Sequence, residues 1–207
     1  MAYFRAGASM LDVVDAVAEW HFRGLDQLGS FLDFAGGYGR ATRFFAERLA
    51  PSRVTVGEVQ TDALEFQARH FHVATLRSTT DPSRLDAAGQ RYSFVFVASL
   101  FSHLPRATFT TWLARLWELV ESGGVLVFSV HDEAVEEHDA PWEDGHAFIA
   151  ASEISELETA DYGTAFTTEE FVREQLREAV GVVRRRGRLC TERRDPPHRR
   201  RRTALLR

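Results

Sequence analysis

Phe31-Leu32-Asp33-Phe34-Ala35-Gly36-Gly37-Tyr38-Gly39-Arg40 is the stretch on which the fold turns. It opens as a short apolar strand, closes on an acid, passes through small residues and enters a helix. Gly37 and Gly39 let a ligand approach backbone that side chains would otherwise block. Unpaired N–H groups at a helix start receive a carboxylate well. Asp33, at the strand end, can hold an ammonium group directly or through water. A glycine-rich turn by itself can also be only a tight strand-to-helix connection, so its surroundings decide.

Outward from that stretch, strands and helices alternate. Residues 40–49 carry the apolar stripe Phe44, Phe45, Leu49 of a helix that Pro51 stops. Residues 54–59 read as a second strand, 61–70 as a second helix and 73–76 as a short third strand. Residues 92–98 form the nearly continuous apolar run of a strand buried on both faces. A long amphipathic helix follows over 107–120, with stripe Phe109, Leu113, Leu116, Trp117, Val120. Ser122-Gly123-Gly124 breaks it, and 125–130 is another apolar strand. Before the decisive stretch, 9–22 has helical spacing with Ser9 as its N-cap. The alternation predicts an α/β fold: a Rossmann-like, doubly wound, mostly parallel sheet with helices on both faces. Ligands of such sheets bind at the carboxyl ends of the strands, where strand order reverses. After Val130 the alternation stops, and 131–160 reads as a long, polar, acidic loop of the kind that forms lids or substrate walls.

Nineteen residues after Gly39, the second strand ends at Val56-Gly57-Glu58-Val59. A helix of about 10 residues is ~15 Å long and a six-residue strand about 20 Å, so the chain returns near the first loop. Glu58 is then placed to accept hydrogen bonds from both hydroxyls of a ribose. Standing alone, it would read as a solvated strand end.

The series Leu32–Arg40, Glu58, Tyr92-Ser93-Phe94-Val95-Phe96-Val97-Ala98-Ser99-Leu100-Phe101-Ser102-His103-Leu104-Pro105 and Gly123-Gly124-Val125-Leu126-Val127-Phe128 resembles the class I S-adenosylmethionine-dependent methyltransferases. Their four usual marks occur in order over about residues 28–130: an acid and glycine-rich loop, an acid closing the second strand, a fourth strand leading to His-Leu-Pro, and Gly-Gly before the fifth strand. Residues 161–167 and 169–179 resemble the family's sixth strand and following helix. The resemblance implies S-adenosylmethionine as cofactor. Asp33, Ala35, Gly36, Gly37 and Gly39 would surround its methionine part, with Glu58 and Val59 at the ribose. The turn at 78–81 would lie against the adenine, with Asp81 meeting its amino group. Ala98, Ser99 and Leu100 would face the methyl-transfer region. Two departures stand inside the motifs. Ala35 replaces the first loop glycine, which requires a negative φ there, and Ser93 replaces a common aspartate, which implies a lost structural hydrogen bond.

His103 is a candidate general base for a hydroxyl or amine acceptor, or a histidine that fixes the turn before Pro105. His131 and Asp132, at the end of the fifth strand, are comparable candidates, His131 being the second catalytic one. Glu133, Glu136, Glu137, His138 and Asp139 follow no recognised metal-ligand order and read as a solvated acidic loop, so no metal site is expected. Trp142 and Phe148 could wall an apolar acceptor or pin the loop.

The chain has 207 residues, 44% hydrophobic and 27% charged, as expected of a soluble globular protein. No apolar run approaches the ~20 residues of a membrane span. No signal-peptide pattern occurs, and Cys190, the sole cysteine, excludes an internal disulfide. A cytoplasmic location is the expectation. The net charge of −5 hides an asymmetry: residues 184–207 carry +9 and residues 1–183 carry −14. By the resemblance, the body, 1–183, is expected to be the cofactor-binding domain. Residues 184–207 are expected to be a disordered, arginine-rich tail without a strand, leaving a sheet edge bare. Such a tail binds RNA or anionic lipid, or arises from a frame shift; the acidic body makes nucleic acid an unlikely partner otherwise. The expected activity is methyl transfer to a small molecule. The alternatives are a non-catalytic cofactor-binding or regulatory domain and a nicotinamide-dependent oxidoreductase, whose G-x-G-x-x-G fails because Gly37-x-Gly39-x-x leads to Thr42.

Overall fold

β1, Phe31–Phe34, is buried at all four residues, as a strand flanked on both edges must be. The computed structural model describes residues 2–134, 139–150, 162–180 and 201–206. They fall into two compact units, the first comprising 1–98 with 119–126 and the second 99–118 with 127–207.

In the first unit, β1 runs parallel to β2 (Val54–Glu58) on one side and to β4 (Tyr92–Val97) on the other. β3 (Ala74–Arg77) extends the ladder beyond β2, in parallel. The order is β3-β2-β1-β4, with β5 (Val120–Asp132) next to β4. Strand order therefore reverses between β1 and β4, and the loop after β1 opens at that switch point. α1 (Ala2–Phe22), α2 (Thr42–Leu49) and α3 (Thr61–Phe71) complete the unit. Its core is aromatic: the Phe31 ring lies 4.6 Å from Phe45 and 5.2 Å from Phe94, centroid to centroid.

Two boundaries differ from the sequence expectation, for local reasons. α1 starts seven residues before Ser9, which lies inside the helix and does not cap it. Gly7 explains the extension: a Cβ there would collide with the Arg40 carbonyl and the Phe44 ring, so glycine alone lets α1 approach α2. β5 begins at Val120 rather than 125 and runs through the two glycines. Gly123, at φ 82°, takes a conformation that favours glycine. A Cβ on Gly124 would meet the Ser93 and Tyr92 carbonyls at 2.8 and 3.0 Å.

In the second unit, the end of β5 pairs in parallel with β8 (Thr164–Thr167) through His131↔Phe166 and Asp132↔Thr167. β8 pairs antiparallel with β7 (His146–Ile149), and β7 with the two-residue β6 (Trp142–Glu143). The expected plain loop over 131–160 thus holds a hairpin. Asp144 and Gly145 have φ 45° and 80°, the two positive values of a type I′ turn, for which Asp-Gly is a favoured pair. α4 (Arg106–Glu118) packs on α5 (Glu169–Val180), joined by the Phe109–Phe171 ring pair and a hydrogen bond between Thr110 and Gln175. Trp112, not Trp117, is the buried tryptophan of α4.

β9 (Arg201–Leu206) pairs with β5. This corrects the expectation of a strandless tail at its last residues; 181–200 lie outside the described residues. β5 has 13 residues and gives only its last two to β8, so ladder positions remain for another strand. Backbone pairing needs no apolar alternation, which is why the arginine run did not forbid it. Among the described residues, no helix is long and apolar enough to cross a membrane.

Candidate cofactor site and the His103 cluster

Asp33 sits at the end of β1, only 2% exposed. Burial pushes its carboxyl up to about 7; Glu58 nearby raises it further, while a hydrogen bond from Thr42 and the charge of Arg40 pull it down. Thr42 is the first residue of α2, and its Oγ1 donates to Asp33 Oδ2 at 2.6 Å. The residue that breaks the oxidoreductase fingerprint is therefore the one that holds the strand-end acid.

The loop after β1 is tied to β2. The N–H groups of Ala35 and Gly36 both donate to the Gly57 carbonyl, at 2.8 and 3.3 Å. Gly57 lacks a side chain because a Cβ there would strike the Phe34 ring. Three loop residues are left-handed: Ala35 (φ 59°), Gly37 (53°) and Gly39 (77°). The negative φ expected at Ala35 is corrected. Capture of both N–H groups by one carbonyl turns the chain there, and Ala35 carries strain of about 1 kcal/mol that glycine would not. A Cβ on Gly37 would meet nothing within 4 Å, so this face of the loop opens on space. On Gly39 it would strike Phe71 and come within 3.0 Å of Gln67 Oε1.

Glu58 closes β2, but as a buried group rather than a solvated one. Its Oε2 accepts from Gly37 N at 2.8 Å, and its Oε1 from Val59 N at 2.7 Å and Gln60 N at 3.2 Å. Gln67 of α3, 0% exposed, donates its Nε2 to the Gly37 carbonyl at 2.6 Å. The Gly37 residue is held on both sides.

Other expected residues of this unit are placed as follows. Asp81 is exposed and caps a short helical turn, accepting from Ser83 N (2.9 Å) and Ser83 Oγ (2.7 Å); those bonds hold its carboxyl below the ordinary value. Ser78 is buried and donates its N–H to the Glu58 carbonyl at 2.8 Å. Ala98 is buried at the end of β4. The hydrogen bond expected to be missing at Ser93 is present: its Oγ accepts from Gly29 N and Ser30 N at 3.1 and 3.2 Å.

In the second unit, Ser99 and Leu100 are half-buried and lead into the turn that carries His103. His103 N donates to the Leu100 carbonyl at 2.9 Å, and Gly163 N to the His103 carbonyl at 3.0 Å. His103 Nδ1 lies 2.7 Å from the Gly163 carbonyl. A carbonyl only accepts, so Nδ1 carries the proton and Nε2 is the basic nitrogen of the neutral ring. Tyr162 stacks on His103 at 4.8 Å and 15°. His131 is buried, 5.6 Å from the Phe166 ring and edge-on to His103 at 6.1 Å. Asp132 accepts from Ala134 N at 2.8 Å. Among the described residues, no three His, Cys, Asp or Glu gather where a metal could bind; Glu136, Glu137 and His138 lie outside them.

Residues 31–124 match the model of a methyltransferase domain. No curated protein sequence matches the chain significantly, but solved structures do. DesVI of Streptomyces venezuelae is 16% identical with TM-score 0.64, covering 96% of this chain and 90% of its own. A Burkholderia thailandensis 1,6-didemethyltoxoflavin-N1-methyltransferase, solved with S-adenosylhomocysteine, is 18% identical with TM-score 0.62, over 99% and 77%. The CcbJ methyltransferase of Streptomyces caelestis is 19% identical with TM-score 0.62, over 92% and 87%. The matched stretch includes Asp33, the glycine loop, Glu58 and the chain up to Gly124. Sequence reasoning passed over Thr42, Gln67 and Tyr162. Of these only Thr42 gave a signal, as a polar side chain at a helix start.

Proposed function

We propose that this protein is an S-adenosylmethionine-dependent methyltransferase acting on a small-molecule acceptor. One observation carries the reading: the loop from Asp33 to Gly39 holds Gly37 left-handed, gripped by Glu58, with its Cα face open. A buried acid pushed up to about 7 beside that loop is ready to ionise when an ammonium group arrives. Glu58 Oε2 keeps a lone pair beside the Gly37 bond, enough for one ribose hydroxyl. When bound, the cofactor supplies the sulfonium methyl for in-line displacement. Asp33 holds its ammonium, the open Cα face of Gly37 takes the methionine part, and Glu58 and Val59 hold the ribose; Asp81 meets the adenine. Ala98, Ser99 and Leu100 line the methyl-transfer region.

His103 is assigned the proton of the acceptor. Its Nδ1–H bond to Gly163 fixes the tautomer, and Nε2 takes the proton from a hydroxyl or amine. His131, buried against Phe166, supports that ring. At saturating cofactor, His103→Asn should lower turnover of any acceptor that must lose a proton while leaving cofactor affinity unchanged; unaltered turnover removes the base role. Residues like the loop and Glu58 serve binding, so calorimetry with S-adenosylmethionine and its demethylated product tests the whole reading. Affinity in the micromolar range, about −8 kcal/mol, is expected. No heat and no thermal shift with either compound would sink it.

A further inference from the structure

Gln67 is a buried polar side chain that nothing in the reaction explains. It lies on α3, 0% exposed, with no charge and no nucleophile. Its Nε2 donates to the Gly37 carbonyl at 2.6 Å, while its Oε1 finds no hydrogen-bond donor among the described residues. A buried acceptor left unsatisfied destabilises a fold, and an apolar side chain of the same shape would avoid that. The retained donor is therefore the informative half. It meets the one loop carbonyl whose residue is also fixed through its N–H by Glu58. Gly37 has φ 53°, and both peptide planes flanking it are anchored, one by each side chain. The side chain also closes the loop's far end, since a Cβ on Gly39 would crowd Gln67 Oε1.

We infer that Gln67 is a positioning residue for cofactor binding: with Glu58 it clamps Gly37, holding the glycine loop in the shape that receives the methionine part of S-adenosylmethionine. This rests on the cofactor reading above. Gln67 acts on the loop rather than on the cofactor. Without it, the Gly37–Tyr38 peptide can rotate, and the loop pays an ordering penalty on each binding event.

The test compares three proteins by calorimetry with S-adenosylmethionine and S-adenosylhomocysteine, and by melting without ligand. Gln67→Met removes the clamp and the unsatisfied oxygen together. The expected result is a melting temperature close to wild type with affinity for both compounds lowered about tenfold, the scale of one lost hydrogen bond. Gln67→Glu supplies a pH readout. Protonated, the new side chain is isosteric with glutamine and donates to the Gly37 carbonyl; ionised, it repels that oxygen. Its affinity relative to wild type at each pH should recover as pH falls, which a simple filler of the core would not show. Unchanged affinity in Gln67→Met, or a Gln67→Glu ratio flat with pH, overturns the inference. Unfolding of both variants without ligand also overturns it, marking Gln67 as a core residue only. Wild type separates the two readings: no binding by wild type sinks the cofactor reading itself, whereas normal wild-type binding with normal Gln67→Met binding sinks only the clamp.

Discussion

Thr42 Oγ1 donates to Asp33 Oδ2 at 2.6 Å, yet the Asp33 carboxyl still stands at about 7, because burial outweighs the hydrogen bond. Its ordinary value is 3.8, so between about pH 4 and 7 the folded protein holds a proton that the unfolded chain has lost. Stability of the ligand-free protein therefore falls as pH rises through that window, by a total on the order of 4 kcal/mol from this group. An ammonium group at Asp33 favours the ionised form and reverses the preference. Cofactor affinity should accordingly weaken below about pH 7, approaching tenfold per pH unit, with proton release on binding near neutrality. Calorimetry in buffers of different ionisation enthalpy reads this directly. Asp33→Asn should melt higher than wild type at pH 8 and lose the proton release. Affinity flat from pH 6 to 8 in wild type would remove Asp33 from the cofactor.

Glu58 accepts three backbone N–H groups, and Gly37 is one of them. Replacement by Ala should weaken cofactor binding by roughly 2–3 kcal/mol, through the lost ribose bond and the loosened loop together. The ladder of β2 stays intact, so the fold should survive with a melting temperature lowered by only a few degrees. Titration of the purified variant checks both numbers, and unchanged affinity would place the ribose elsewhere.

Ala35 is left-handed at φ 59°, a conformation that favours glycine. Ala35→Gly relieves strain of about 1 kcal/mol and adds a comparable unfolded-state entropy, so stability should hold or rise slightly. Ala35→Val adds β-branching to the same conformation and should destabilise by more than 1 kcal/mol. Melting curves of the two variants separate them; a glycine variant that melts well below wild type would mean the Ala35 methyl packs usefully.

The fold and the shape of the glycine loop were legible because their signals are local. Phe31–Phe34, the glycines and Glu58 act within one strand–helix–strand unit, and spacing alone brings them near each other. Ala35 was misread because its φ is set by the Gly57 carbonyl, 22 residues away, which takes two consecutive N–H groups. Gln67 was invisible because an amide in a helix carries no signature until a carbonyl lies beside it. The β6–β7 hairpin was readable in principle: Asp144-Gly145 is a turn signal, hidden by the acidic composition around it. Trp112 and Trp117 lie on one helix, and the packing of α4, not the apolar stripe, decides which is buried.

β9 is the last element of the chain and pairs with β5, the strand common to both units. Removing 201–207 strips that pairing from β5. Unpaired N–H and C=O groups on an apolar strand template association with other chains. Val125–Phe128 of β5 is fully buried and rich in β-branched and aromatic side chains, so the exposed edge would be an adhesive one. A protein truncated after residue 200 should melt several degrees lower, a shift matching roughly 1–2 kcal/mol in a chain of this size. It should also form light-scattering aggregates at concentrations where the full chain stays clear. Removing only Arg207 should change neither property. The arginines upstream remain in both proteins, so a difference between the two truncations isolates the strand from the charge. If the longer truncation melts and scatters like wild type, β9 adds nothing to the sheet, and residues 184–207 are a tail after all.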